Sequence, residues 1–421
     1  MISLGCTLRR ARRSSIATLV AMGWLAGCVH PEPSDAERFL DEPDYRRHVL
    51  EDSLVNPDNG YSRLRLQHYA TSKGSSSRWD DLPVYNPSVT PLRETPGDAP
   101  PAPSFDGERP RSDHGWITLG ETLFHHYPAQ FNTRLGEVAR NAAEREAWGL
   151  WHTPDDRIGG LVEVTLDSGP VLTAMTCSTC HARPAEDGRL LAGLANQAFD
   201  FGAIEARHAS AERAAELLSW GPGRLDVTPD ASNNPVAIPD LRPIRHQRYL
   251  HAAATVKNSL PALAVRIETL LITSLGANVR PPREVAYALA MYLWSLAAPV
   301  DSPSSAPALG ASPGAATFAR QCAGCHHADG STLGRVPLEL VGTDPAVGLS
   351  SDRGTGYYRV PSLVGVASRG HLLHDLSASG LEDFLAPERS ARNEGHPFGQ
   401  DLSPIERLDL TAFLRQSRLT H

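Results

Sequence analysis

Cys177-Ser-Thr-Cys180-His181 and Cys322-Ala-Gly-Cys325-His326 are the two stretches on which the reading of this chain turns. In each, two thiols stand three residues apart and an imidazole follows at once. Side chains at that spacing share one face of a helical turn. Both thiols can then add to the two vinyl groups of one porphyrin, and the adjacent histidine reaches the iron as its proximal ligand. The spacing predicts two covalently bound haem c groups, one on Cys177, Cys180 and His181 and the other on Cys322, Cys325 and His326. A single zinc shared by the two pairs would not need a histidine after each pair. Structural disulfides fit poorly, because C-x-x-C loops are usually redox-active.

Upstream lies an address. Arg9, Arg10, Arg12 and Arg13 precede an apolar run from Ile16 to Ala26 that ends in Leu25-Ala26-Gly27-Cys28. A run of this length is too short to span a bilayer, so residues 1–27 are expected to be a signal peptide. Small residues before Cys28 resemble a bacterial lipobox, which implies lipid attachment at Cys28. The expectation is a periplasmic protein held at a membrane, with the outer membrane favoured, by its lipid alone. The whole chain has 421 residues and a formal net charge of −8, and loss of the four leader arginines makes it more negative still. That disfavours a nucleic-acid partner.

Residues 28–114 are polar and broken by proline, and much of the segment is expected to be a tether or N-terminal extension, although Arg38 to Leu54 and Leu64 to Tyr69 could be short helices that dock, with Trp79, Leu82, Val84 and Tyr85 as apolar anchors. A first haem domain is expected over 115–298, its opening helix set by a capping box of Thr118 and Glu121. Residues 299–313, rich in Pro, Ser and Ala, form a linker. A second haem domain follows over 314–421, its first helix started by Ser312-Pro313 and its last by Ser403-Pro404-Ile405-Glu406. The fold class expected is mainly α, with two cytochrome c-like domains.

The order Leu119-Gly120-Glu121-Thr122-Leu123-Phe124, first haem motif, Trp220-Gly-Pro-Gly-Arg224, second haem motif resembles the bacterial di-haem cytochrome c peroxidase superfamily. The run Tyr358-Arg-Val-Pro361-Ser-Leu-Val-Gly-Val366, with Arg369-Gly-His371-Leu-Leu-His374-Asp375 after it, resembles that family's C-terminal segment. The resemblance implies electron entry at the haem on His326, from a small donor cytochrome or cupredoxin. Hydrogen peroxide or a similar oxidant would be reduced at the haem on His181. It implies Trp220 as a relay between the haems, Asp240 as a carboxylate placed for proton transfer, and a calcium ion between the domains. The alternative is a non-enzymatic electron carrier with both irons six-coordinate.

No methionine follows the second haem motif, where the family supplies an axial sulfur. Tyr357, Tyr358 and His371 are the candidates for that ligand, and His208, His246 and His251 are those for the first haem. Leu376 also stands where the family's His-Asp turn has glycine.

Overall fold

The computed structural model describes residues 34–69, 78–95, 100–166, 169–185, 187–226, 233–296, 312–389 and 395–416. The signal peptide, Cys28 and residues 299–311 of the linker lie outside these.

Each haem motif belongs to a lobe closed by the same kind of helix pair. In the first lobe, helix Asp113–His126 packs on helix Arg283–Leu296. A Cβ on Gly120 would lie 2.0 Å from the Ala288 carbonyl oxygen, so only glycine permits the approach, and one turn on Phe124 meets the Tyr292 ring at 5.4 Å. In the second lobe, helix Pro313–Gln321 packs on helix Pro404–Gln416. There a Cβ on Gly314 would lie 2.1 Å from the Asp409 carbonyl oxygen, and Phe318 meets Phe413 at 5.3 Å. Ser312 caps its helix through the Ala315 amide, and Ser403 and Glu406 form a reciprocal cap, as the sequence suggests. The first lobe's opening helix instead starts at Asp113 under Ser112, so the expected Thr118/Glu121 box falls inside a helix already formed.

The mainly α class is overturned. Helix makes up 44% and strand 15%, and five strands form an antiparallel sheet. These are β1 (Ser88–Arg93), β2 (Ala102–Pro103), β3 (Gln130–Phe131), β4 (Arg157–Thr165) and β5 (Val171–Met175), in the order β2-β1-β4-β5-β3. β4 and β5 pair from Leu161–Met175 to Thr165–Val171, and Val162, Val164 and Ala174 are fully buried. The β-branched run in β4 suits a pleated, buried surface.

The described residues between 34 and 94 are not a tether. Helices Asp35–Asp41, Pro43–Ser53 and Gly60–Tyr69 bury Phe39, Leu50, Tyr61 and Tyr69 in the largest apolar core, and β1 is an inner strand of the sheet. Arg46 and Arg283 both reach Asp80, at 2.7 and 2.6 Å, and Arg283 also faces the wholly buried Glu268 at 3.5 Å. On the other side, the side-chain amides of Asn56 and Asn59 both donate to the Gly354 carbonyl. The segment therefore touches both lobes.

The lobes meet through a repeated backbone pattern. Ala237 N donates to His374 O at 2.7 Å and Arg359 N to Ala252 O at 2.8 Å. The same sequence offset separates Ala237 from Arg359 and Ala252 from His374, so the contact is close to reciprocal.

Candidate haem-attachment site

The sheet is the pedestal of the first motif. Cys177–His181 is one helical turn running straight out of β5. The Gly160 carbonyl in β4 accepts from Thr176 Oγ1 at 2.7 Å and from Thr179 Oγ1 at 3.1 Å, and Trp151 Nε1 donates to the Ser178 carbonyl at 3.2 Å. Gly160 has φ +65°, and a Cβ there would sit 2.3 Å from Ser178 Oγ. The turn thus rests directly on the strand. In the second lobe, Cys322 ends the Pro313–Gln321 helix, its amide bonded to Phe318 O, and a tight turn carries the chain to His326.

All four cysteines of the two motifs are free thiols. Burial pushes Cys177 and Cys180 up to about 12 and Cys322 up to about 11, so these thiols are neutral. The two pairs do not converge. Among the described residues the one trio of metal-capable side chains is Glu94, His152 and Asp156, beside the sheet. A zinc shared by the two motifs is therefore not what the fold builds.

His181 Nδ1 lies 3.0 Å from the Pro239 carbonyl, which fixes the proton on Nδ1 and leaves the Nε2 lone pair for a metal. In the second lobe the Pro361 carbonyl acts on His326 in the same sense, without closing a hydrogen bond to Nδ1. Burial lowers both imidazoles to about 4, so both are neutral near pH 7. Unpaired thiols on a short turn beside an oriented neutral imidazole fit the donor set of a covalently attached haem.

The expected distal and catalytic residues fare differently. Tyr358 is buried, its hydroxyl donating to the Asp344 carbonyl and lying 3.3 Å from His374 Nε2. Burial raises it to about 12. Tyr357 lies under the Arg335 guanidinium, at 4.4 Å, and His371 is exposed with its backbone tied to Gln197. None of the three faces His326. The ring that does is His396, with centroids 6.4 Å apart. His208 is a surface residue 3.4 Å from Glu137. His251 is half-buried, with Nε2 taken by Arg266 Nε at 2.8 Å, and His246 sits on the 3-10 turn Ile244–His246 beside Arg245 and Asp329. Among the described residues no aromatic or imidazole ring stacks on His181.

Asp240 is not an available base. It is 6% exposed and held by Arg242 at 2.6 Å and Arg369 at 3.1 Å, which pins the first lobe to the second. These arginines occupy the junction where the resemblance implied calcium. Trp220 is 2% exposed, and its Nε1 donates to Asn233 Oδ1 at 2.6 Å. Its loop abuts the other lobe, because a Cβ on Gly223 would lie 2.9 Å from Leu376 Cδ1. Trp220 also walls an open groove of about 390 Å³ that carries Glu205 and Asp226.

No family model, curated protein or solved structure matches the chain.

Proposed function

We propose that the chain is a di-haem c-type oxidoreductase of peroxidase type, exported and held at a membrane surface. The observation that carries this is the pair of neutral imidazoles, His181 and His326, each beside two unpaired thiols. Cys177 and Cys180 would hold one haem and Cys322 and Cys325 the other. Bound there, haem iron would supply one-electron redox chemistry and, where a coordination position is open, reduction of peroxide: H2O2 takes two electrons and two protons and gives two waters. The electrons come from a small donor protein, a cytochrome or cupredoxin.

The residues divide that work. Pro239 orients the His181 ring, and reciprocal hydrogen bonds between the lobes fix the distance from one motif to the other. Trp220 lies in the loop at that junction, where an aromatic ring can carry an electron across. Asp240, locked between two guanidinium groups, is unsuited to proton delivery, and the carboxylates that share the groove with Trp220 are Glu205 and Asp226. Glu205 is held by Asn132 Nδ2 at 2.8 Å and by Arg134, and Asp226 accepts from the Asn234 amide at 3.0 Å. The absence of a stacked ring at His181 among the described residues favours an open position there, and with it peroxidase chemistry over a plain carrier.

Haem content per chain and the spectrum with and without peroxide test the proposal. Two haems per chain, one of them high-spin and shifting on peroxide or cyanide, are expected. Two haems that stay low-spin in every redox state would leave the carrier. Colourless protein matured with its haem-attachment machinery would overturn the reading.

A further inference from the structure

We propose that His396 is the second axial ligand of the iron held by His326, which makes the C-terminal centre bis-histidine and leaves the two centres unequal. The inference rests on the haem reading above. An imidazole nitrogen bonds a metal at ~2 Å and lies ~1.2 Å from its own ring centre, so two imidazoles on opposite sides of one ion have centroids roughly 6.4 Å apart. His326 and His396 stand at 6.4 Å, with planes 40° apart.

The loop is built to hold that ring. His396 has φ +51°, a left-handed backbone that a non-glycine residue adopts at a cost, and such strain persists where the surroundings enforce it. The enforcement is visible. The His396 amide donates to the Val341 carbonyl, and Gln400 Nε2 donates to the His396 and Gly395 carbonyls at 3.1 and 3.3 Å. A Cβ on Gly395 would collide with Thr343 at 2.5 Å. Phe384 and Phe398 flank the imidazole at 4.8 and 5.4 Å. Neither His326 nor His396 has a hydrogen-bond partner on Nδ1. Two polar rings are therefore held at this spacing by the backbone and by aromatic packing, with no hydrogen bond on either Nδ1 to explain it.

The first lobe repeats the turn without the donor. Gly276-Ala277 has the same left-handed pair, φ +87° and +61°, against +76° and +51° at Gly395-His396. Each pair precedes the closing helix of its lobe. Ala277 has nothing to offer a metal. A second imidazole in place of a thioether also lowers the reduction potential of the C-terminal centre relative to a His/Met site.

The test uses the full-length protein matured with its haems, compared with His396→Ala and His396→Met by low-temperature EPR and near-infrared magnetic circular dichroism, with haem counted by pyridine haemochrome. The expected result is a bis-histidine low-spin signal in the parent. It is lost to a high-spin form in H396A, restored by added imidazole, and replaced by a sulfur-ligated signature in H396M. Tyr358→Phe and His371→Ala should leave the signal unchanged. With two haems per chain, survival of the bis-histidine signal in H396A and H396M would overturn this inference and leave the haem reading standing. Fewer than two haems in the parent would overturn both.

Discussion

The amide of Ala237 donates to the carbonyl of His374, and this bond has a counterpart between Arg359 and Ala252. Four backbone groups from two lobes are thereby satisfied by each other at the line where the lobes meet. Beside them Asp240 accepts from Arg242 and Arg369. Breaking a buried ion pair by removing one charge typically costs about 3–5 kcal/mol. Asp240→Asn should lower stability by roughly that amount, read as the shift of the denaturant midpoint, without changing haem count.

The acid limb should change too. Burial raises Asp240, but Arg369 and Arg242 together outweigh it, and its folded pKa lies below the ordinary value. A depressed carboxyl stabilises the fold above its unfolded pKa of ~3.9 and stops doing so as pH falls through the folded value. The stability gap between parent and D240N should be constant from pH 7 down to about 5 and should shrink below about 4. Equal gaps at pH 7 and pH 3 would contradict the assignment.

At Gly120 and Gly314 two effects oppose one another. Replacing a helix-interior glycine by alanine ordinarily stabilises by up to ~1 kcal/mol. Here the added methyl meets carbonyl oxygens at 2.0 and 2.1 Å, contacts that only helix separation relieves. Overpacking of this kind costs about 1–3 kcal/mol, so G120A and G314A should both be net destabilising in thermal melts.

Phe39 separates a packed N-terminal segment from a tether. It has no exposed surface, and its ring lies 5.7 Å from Tyr287 of the first lobe's closing helix. Phe39→Ala should cost about 3–5 kcal/mol in the unfolding of the whole protein. A change within ±0.5 kcal/mol would show that the segment does not share the core.

The two haem motifs are independent in sequence and rest on different supports. Replacing Cys322 and Cys325 together by alanine should leave one haem per chain, attached at Cys177 and Cys180. The double replacement at Cys177 and Cys180 should leave the other. Mass spectrometry of tryptic peptides reads which remains.

What could be seen in advance was local. The C-x-x-C-H stretches, the Ser312-Pro313 start and the Ser403/Glu406 cap are written in neighbouring residues, and the structure keeps the two helix starts where the sequence puts them. The sheet could not be seen, because β1 at Ser88–Arg93 finds its partner in β4 at Arg157–Thr165 across three helices. In the N-terminal segment the short helices and the anchors Trp79 and Leu82 are legible, but the extent of docking is not, because Arg283 and Gly354 arrive from far along the chain. His396 is hard to see in advance because it lies 70 residues beyond the motif it faces, past the Tyr357 and His371 that the family pattern points to. The available signal was a histidine straight after a glycine, a pair suited to a left-handed turn.

Asn56 and Asn59 reach a carbonyl 298 and 295 residues further along the chain. Contacts at such separation form late, because the loop they close must first be ordered. The segment made first is accordingly among the last to settle onto the two lobes. The amino-terminal helices thus act as a clasp, closed only once the far end of the chain is in place.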